Sequence, residues 1–336
     1  MSLEIKTSNL EPIRHTFANI ARRFGEKPAT RYQEATYDAQ GTTNFHYKPL
    51  WDADKTLNDK THSVIQMEDW YDLKDPRQFY YGTYVQNRAR LQDTAEGNYK
   101  FFEKRELVDN LDEKVLEAIT FGLIPLRHVE QTANLNYMYG AAYGYGTAIT
   151  QACLYAGMDR LGMAQYLSRI GLLIDGNSSD SLQQGKEYWM NDEAWQGIRA
   201  LCEHTLIIKD WFELFIAQSL VLDTVIHVVH YQHLDNWLVE HNGRDIAMLT
   251  EFMQDCFKDL TGWSNSTIKI VVAESEENKL HCQQWLEKWQ DKVLTAYQPL
   301  IEKLFGAEQA TAVVDDIQAQ LAKRCKTVGL TTETAA

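Results

Sequence analysis

Residues 204–240, HTLIIKDWFELFIAQSLVLDTVIHVVHYQHLDNWLVE, constrain the fold of this chain more than any other stretch. Ile207, Trp211, Leu214, Phe215, Leu222, Val225, Ile226 and Val229 recur at steps of three and four, the period of an α-helix. Further apolar residues fall between them, so the helix predicted here is apolar on most of its sides. Such a helix needs packed neighbours all round it.

The rest of the chain offers them. Asn110 followed by Glu113 resembles a capping arrangement ahead of LEAITFGLIPLRHVEQTANL. TAITQACLYAGMDRLGMAQYLSRIGLLI reads as a second helix, Asn191, Asp192 and Glu193 open another, and AMLTEFMQDCFKDLTGW supplies one more. Ser275, Glu276 and Glu277 start a helix through Leu286, Trp289 and Val293, with a break near Pro299. No charge occurs from Gln131 to Met158, yet Gln131, Asn134, Asn136, Gln151, Gly140, Gly144 and Gly146 spoil the roughly 20-residue apolar run that a membrane span requires. That stretch is predicted as a tightly packed pair of segments inside a helical core. Long helices in series with short links give an all-α fold, a helical bundle with an extended, irregular N-terminal arm. The expected divisions are an aromatic-rich arm over 1–100, the bundle over 101–262, C-terminal helices packed on it over 263–326, and a disordered tail over 327–336.

The arm carries many large rings that must pack either on the chain's own body or on a partner. Candidate interface residues are Tyr32, Tyr37, Trp51, Trp70, Tyr80, Tyr81 and Tyr84. Residues 1–31 are locally basic, which suits either a protein-docking segment or a solvated terminus. Elsewhere acids dominate, and Lys+Arg 33 against Asp+Glu 47 leaves a net charge of −14 over 336 residues. That field repels nucleic acid and anionic membranes, so neither is an expected partner. Five scattered cysteines without a C-x-x-C pair form no disulfide framework, and MSLEIKTSNL has no apolar signal core, so a reducing cytoplasm is expected.

Two metal chemistries are conceivable in such a bundle. A dinuclear metal centre in a bundle takes a Glu from each of two helices and a Glu-x-x-His from each of two others. None of the ten histidines has a Glu three residues before it, and only Asp59, in the arm, supplies an acid there. The second candidate is His227, His230 and His233 in HVVHYQH, which would make the chain an independent metalloenzyme. At roughly 100° per residue they step round the helix, and the outer two stand roughly 9 Å apart along it. Hydrogen-bonded histidines inside the bundle or at an interface are the expected outcome, with Asp223 placed to bond His227 as a helix neighbour. Arg127, His128 and Glu130 could orient one another, but a structural polar network is the favoured reading, and Cys153 and Cys202 are expected to behave as small core hydrophobes. No catalytic, cofactor or metal residue is assigned. A free-standing interaction module is a further reading, disfavoured by the amount of aromatic surface.

RRFGEKPATRYQEATYDAQGTTNFHYKPLW, EDWYDLKDPRQFYYGTYVQNRAR, PLRHVEQTANLNYMYGAAYGYGTAITQACLYAGMDRLGMAQYLSRIG and DWFELFIAQ together resemble the β subunits of the bacterial multicomponent monooxygenases, in the phenol hydroxylase branch. The resemblance spans nearly the whole chain. It implies a ferritin-like fold without metal and a structural role beside an α subunit that holds the diiron centre. It further implies a γ subunit, two copies of each chain, a reductase acting indirectly with electrons from NADH, and a small regulatory protein. The implied activity of the whole assembly is hydroxylation of phenol or methylphenols to catechols.

Overall fold

The computed structural model describes residues 24, 25, 30–37, 52, 54–56 and 58–332, and among these there is no β-strand. Besides three short 3-10 turns, eleven α-helical elements lie among the described residues. They are α1 (Arg31–Tyr37), α2 (Tyr81–Lys104), α3 (Glu113–Gly122), α4 (Leu126–Tyr143), α5 (Thr147–Ile174) and α6 (Asp180–Asn191), followed by α7 (Glu193–Thr205), α8 (Trp211–Glu240), α9 (Arg244–Glu274), α10 (Glu276–Phe305) and α11 (Ala307–Val328).

Helix α8 is the axis. Asp210 caps it by accepting from the N–H groups of Phe212 and Glu213. Although long and apolar enough to cross a membrane by composition, it has 89% of its apolar window buried inside the fold. Helices α4, α9, α10 and α11 pack on it, α5 reaches it through the Arg160–Asp223 ion pair, and α6 and α7 flank the bundle. Two stretches of α8, Ile216–Leu222 and His227–His233, are wound as π-helix, with i→i+5 hydrogen bonding.

The uncharged run from Gln131 to Met158 forms the α4–α5 hairpin, as expected for a packed pair. A Cβ on Gly157 would lie 2.8 Å from the Met138 Cε, which would have to swing aside, and 3.4 Å from the Asn134 carbonyl, so the two helices run close together here. The Asn134 amide donates to the Gly157 carbonyl at 2.7 Å and ties the two helices at that point. Gly146, at φ 93°, turns the chain into α5 in a region that L side chains avoid.

Several expectations need correction. Residues 1–100 are not one extended arm, because α2 begins at Tyr81, where the Tyr80 N–H donates to the Thr83 hydroxyl. Its buried face is Tyr84, Arg88, Ala95, Tyr99 and Phe102, and a charged residue at a core position hides the apolar period. Arg88 is paid for by a bidentate pair with Asp159 on α5, at 2.8 and 2.7 Å, and by Asp259 on α9 at 2.7 Å. The proposed boundary at 262/263 falls inside α9. Pro299 does not break α10; Tyr297, Leu300 and Ile301 around it are fully buried, and their packing carries the helix across the missing N–H. The cap of α3 is Asp112, which accepts from the Val115 N–H, in place of Asn110. The tail was expected disordered from 327, yet Thr327 and Val328 belong to α11, and Leu330 and Thr332 are buried; residues 333–336 lie outside the described residues. Residues 1–23 do so as well.

All five cysteines are free and buried. Burial pushes the thiols of Cys202, Cys282 and Cys325 up to about 12, and those of Cys153 and Cys256 upward too.

Leu220→Ala, in the middle of α8 where no surface is exposed, should cost about 2–5 kcal/mol of stability, read as a lower denaturant midpoint. Leu206→Ala, at a half-exposed leucine just before α8, should leave that midpoint nearly unchanged.

Candidate functional site

Three buried charges from three helices meet in the centre of the bundle: Glu130 of α4, Arg160 of α5 and Asp223 of α8. The Arg160 guanidinium is 2% exposed, donates through Nη1 to Glu130 Oε2 at 3.0 Å, and ion-pairs through Nη2 with Asp223 Oδ2. Nη1 also lies 3.8 Å from the sulfur of Met163, three residues further along α5.

Asp223 is held on its other sides as well. Gln218 Nε2 donates to Oδ1 at 2.6 Å, and the Tyr137 hydroxyl donates to Oδ2 at 3.0 Å while touching Ser219 Oγ at 2.9 Å. Asn136 Nδ2 donates in turn to Gln218 Oε1 at 2.8 Å and to Thr205 Oγ1 at 3.1 Å. Burial raises the pKa of Glu130 against the opposing pull of Arg160, whose own pKa its two anionic partners hold well above the usual value despite burial. Glu130 Oε1 and Arg160 Nε have no hydrogen-bond partner.

A second arginine, Arg324 of α11, serves the first π segment of α8. Its Nη1 donates to the carbonyls of Ser219 and Leu220, at 2.9 and 3.2 Å, and to Thr224 Oγ1 at 2.7 Å; its Nη2 donates to Ser264 Oγ and Asn265 Oδ1. The wider winding of a π segment needs such extra donors for carbonyls that have lost their regular partners.

The donor set does not fit a dinuclear iron centre. Such a centre takes four carboxylates and two imidazoles turned inward from four helices. Here two carboxylates already share a guanidinium, and the residue three positions after Arg160 is a methionine. Among the described residues, no group of three or more His, Cys, Asp or Glu is placed to hold a metal ion.

The HVVHYQH histidines go to three different elements. His227 stacks on Phe257 of α9 with ring centroids 3.9 Å apart, and its Nδ1 has no partner. His230 Nδ1 donates to the Gly122 carbonyl at the end of α3, at 2.8 Å, and His233 Nε2 donates to Asp316 of α11, at 3.0 Å. The rings do not converge. Asp223 pairs with Arg160 and not with His227, because the π winding turns it toward α4 and α5. Nor do Arg127, His128 and Glu130 orient one another: Arg127 donates to the Leu182 carbonyl, His128 stacks on Trp189, and Glu130 faces Arg160.

Of the seven candidate interface rings, three pack on the chain's own body. Tyr32 is buried and its hydroxyl accepts from the Asp75 N–H, Trp70 packs on Tyr145 and Trp211, and Tyr84 stacks on Tyr155 while donating to Asp159. Tyr80 is half-buried against Tyr32, and Tyr81 is 72% exposed. Trp51 and the side chain of Tyr37 lie outside the described residues. Sequence reasoning missed an exposed apolar face, formed by Leu154, Met158 and Leu161 of α5 with Leu135 of α4. The helical spacing of 154, 158 and 161 was the signal for it.

Burial holds the imidazoles of His128, His227 and His230 down at about 4. Between about pH 6.5 and pH 4 the unfolded chain therefore binds more protons than the folded one, so stability is complete above that window and falls as pH drops through it. His227→Phe, which keeps a ring on Phe257, should make the fall of the unfolding free energy from pH 6.5 to 4, read by denaturant titration, shallower by up to about 1.4 kcal/mol per pH unit.

Residues 51–275 match the family model for methane/phenol/alkene hydroxylases. The chain is 56% identical over 330 residues to the phenol 2-monooxygenase oxygenase component MhpL of Acinetobacter pittii, covering 98% of each chain. It is 48% identical, with the same coverage, to the oxygenase component DmpL of Pseudomonas sp. strain CF600. A xenon-pressurised crystal structure of phenol hydroxylase from Pseudomonas sp. OX1 superposes with a TM-score of 0.91 at 46% identity, covering 98% of this chain and 99% of that one. The ferritin-like helical fold implied by the sequence resemblance is thereby established. The chain belongs to the methane/phenol/alkene hydroxylase family.

Proposed function

We propose that this chain is the non-catalytic β subunit of a multicomponent phenol hydroxylase, a structural partner of the α subunit that carries the diiron centre. The assembled oxygenase then converts phenol or methylphenols to catechols with O2 and electrons from NADH. The expected assembly has two copies each of α, β and γ, with the reductase acting indirectly and a small regulatory protein binding during turnover. The cytoplasm is the compartment that fits five free cysteines.

The observation that carries this reading is the content of the bundle centre. Where a catalytic member needs anionic and imidazole donors around open coordination positions, this chain has Arg160 bonded to Glu130 and Asp223. The partner role draws on the relatives, which are oxygenase components of phenol 2-monooxygenases, and on the exposed face of Leu135, Leu154, Met158 and Leu161.

Expressed by itself, the chain should contain no stoichiometric iron and turn over no phenol with reductase and NADH supplied; iron at one or two equivalents with turnover would sink the reading. In the co-expressed assembly, Met158→Asp should lower the amount of α subunit that co-purifies while leaving the circular dichroism of the chain unchanged, since Met158 is 43% exposed. Undiminished co-purification would remove this face from the interface.

A further inference from the structure

The ion cluster at the bundle centre has a feature that a plain structural salt bridge does not need. Two carboxylates from facing helices, Glu130 and Asp223, meet the two terminal nitrogens of one guanidinium, which comes from a third helix and stands between them. Asp223 is additionally oriented by Gln218 and Tyr137, as outer-shell partners orient a metal-binding carboxylate. Glu130 Oε1 is fully buried and has no hydrogen-bond partner, so this carboxyl has an oxygen to spare. Two buried carboxylates cannot both stay ionised without a cation between them. In a ferritin-like bundle that cation is ordinarily a metal.

We propose that Arg160 is the built-in counter-ion of a closed metal site: its guanidinium occupies the place of a divalent ion between Glu130 and Asp223, and removing it opens an oxygen-donor site for one such ion. The inference rests on reading this chain as the metal-free member of the oxygenase. The donors left after removal are the Glu130 carboxylate and Asp223 Oδ2, both hard oxygens, with room for water where the guanidinium stood. Carboxylate and water donors suit Mn2+ or Mg2+ over ions that prefer thiolate or imidazole. Arg324, whose Nη1 bonds the Ser219 and Leu220 carbonyls, stands on the α8 side of the opened site.

Mn2+ alone serves as the probe, because its free form is counted directly by electron paramagnetic resonance. The full chain carrying Arg160→Ala should bind one Mn2+ per chain, while the parent chain and Arg160→Lys, which keeps a cation at the site, should bind none. Arg160→Ala combined with Glu130→Gln should lose the binding. Arg160→Ala with Tyr137→Phe should bind about 10–100-fold more weakly, as expected for loss of an orienting hydrogen bond. If Arg160→Ala unfolds, Mn2+ added during refolding should restore the helical circular dichroism, and the Glu130→Gln double variant should not respond. A folded Arg160→Ala chain that takes up no Mn2+, or an unfolded one that Mn2+ does not recover, overturns the proposal and leaves the scaffold reading intact. Stoichiometric metal in the parent chain overturns the scaffold reading itself.

Discussion

A guanidinium removed from water persists as an ion only where anions meet it, and the buried Arg160 meets two, on different helices. Desolvating each charge costs several kcal/mol, a cost met only when the geometry is good and all three side chains arrive together. The Glu130–Arg160–Asp223 link therefore specifies which faces of α4, α5 and α8 look at one another. Apolar packing alone would tolerate a rotated or shifted α8, because that helix is apolar on nearly every side. The charges remove this freedom. Asp159, the residue before Arg160, is buried against Arg88 of α2, which also pairs with Asp259 of α9, so two adjacent residues of α5 register both of its flanks.

The π segments belong to the same device. Gln218, Ser219 and Asp223 must all reach the α4 side for the Asn136–Gln218–Asp223–Tyr137 network to close. Widening the helix at Ile216–Leu222 brings them there, at the cost of carbonyls without regular partners. Arg324 answers that cost from α11, so the C-terminal helix supports the winding of the central one across a sequence separation of about a hundred residues.

The helical framework was legible because its signals are local. The periodicity of α8 from Trp211 onward and the helix starts at Asp192 and Ser275 read correctly from short windows, whereas Ile207, counted in the same period, lies before the helix and is 73% exposed. Helix α2 did not, because Arg88 holds a core position that an apolar-period search counts as surface. The polar centre escaped for a related reason. A search for acids three residues before histidines looks for a metal and passes over an arginine that replaces one. A signal was nonetheless present: Glu130 immediately precedes the uncharged run, and Asp159 and Arg160 immediately follow it. Charges that bracket such a run on paired helices are brought level by the hairpin, and two of these three meet in the core. Which aromatic rings stay exposed could not be read from the sequence, because it depends on tertiary packing between Tyr32, Trp70 and Tyr84 and distant helices.

The five cysteines acquire an unplanned use from their placement. Each thiol is buried in the native fold and held protonated at neutral pH, on α5, α7, α9, α10 and α11. Since only a thiolate in contact with solvent reacts with an alkylating reagent, modification has to wait for opening of the helix concerned. The chain thus carries five internal clocks, one per helix, whose relative rates report whether the bundle opens as one unit or sheds its C-terminal helices first.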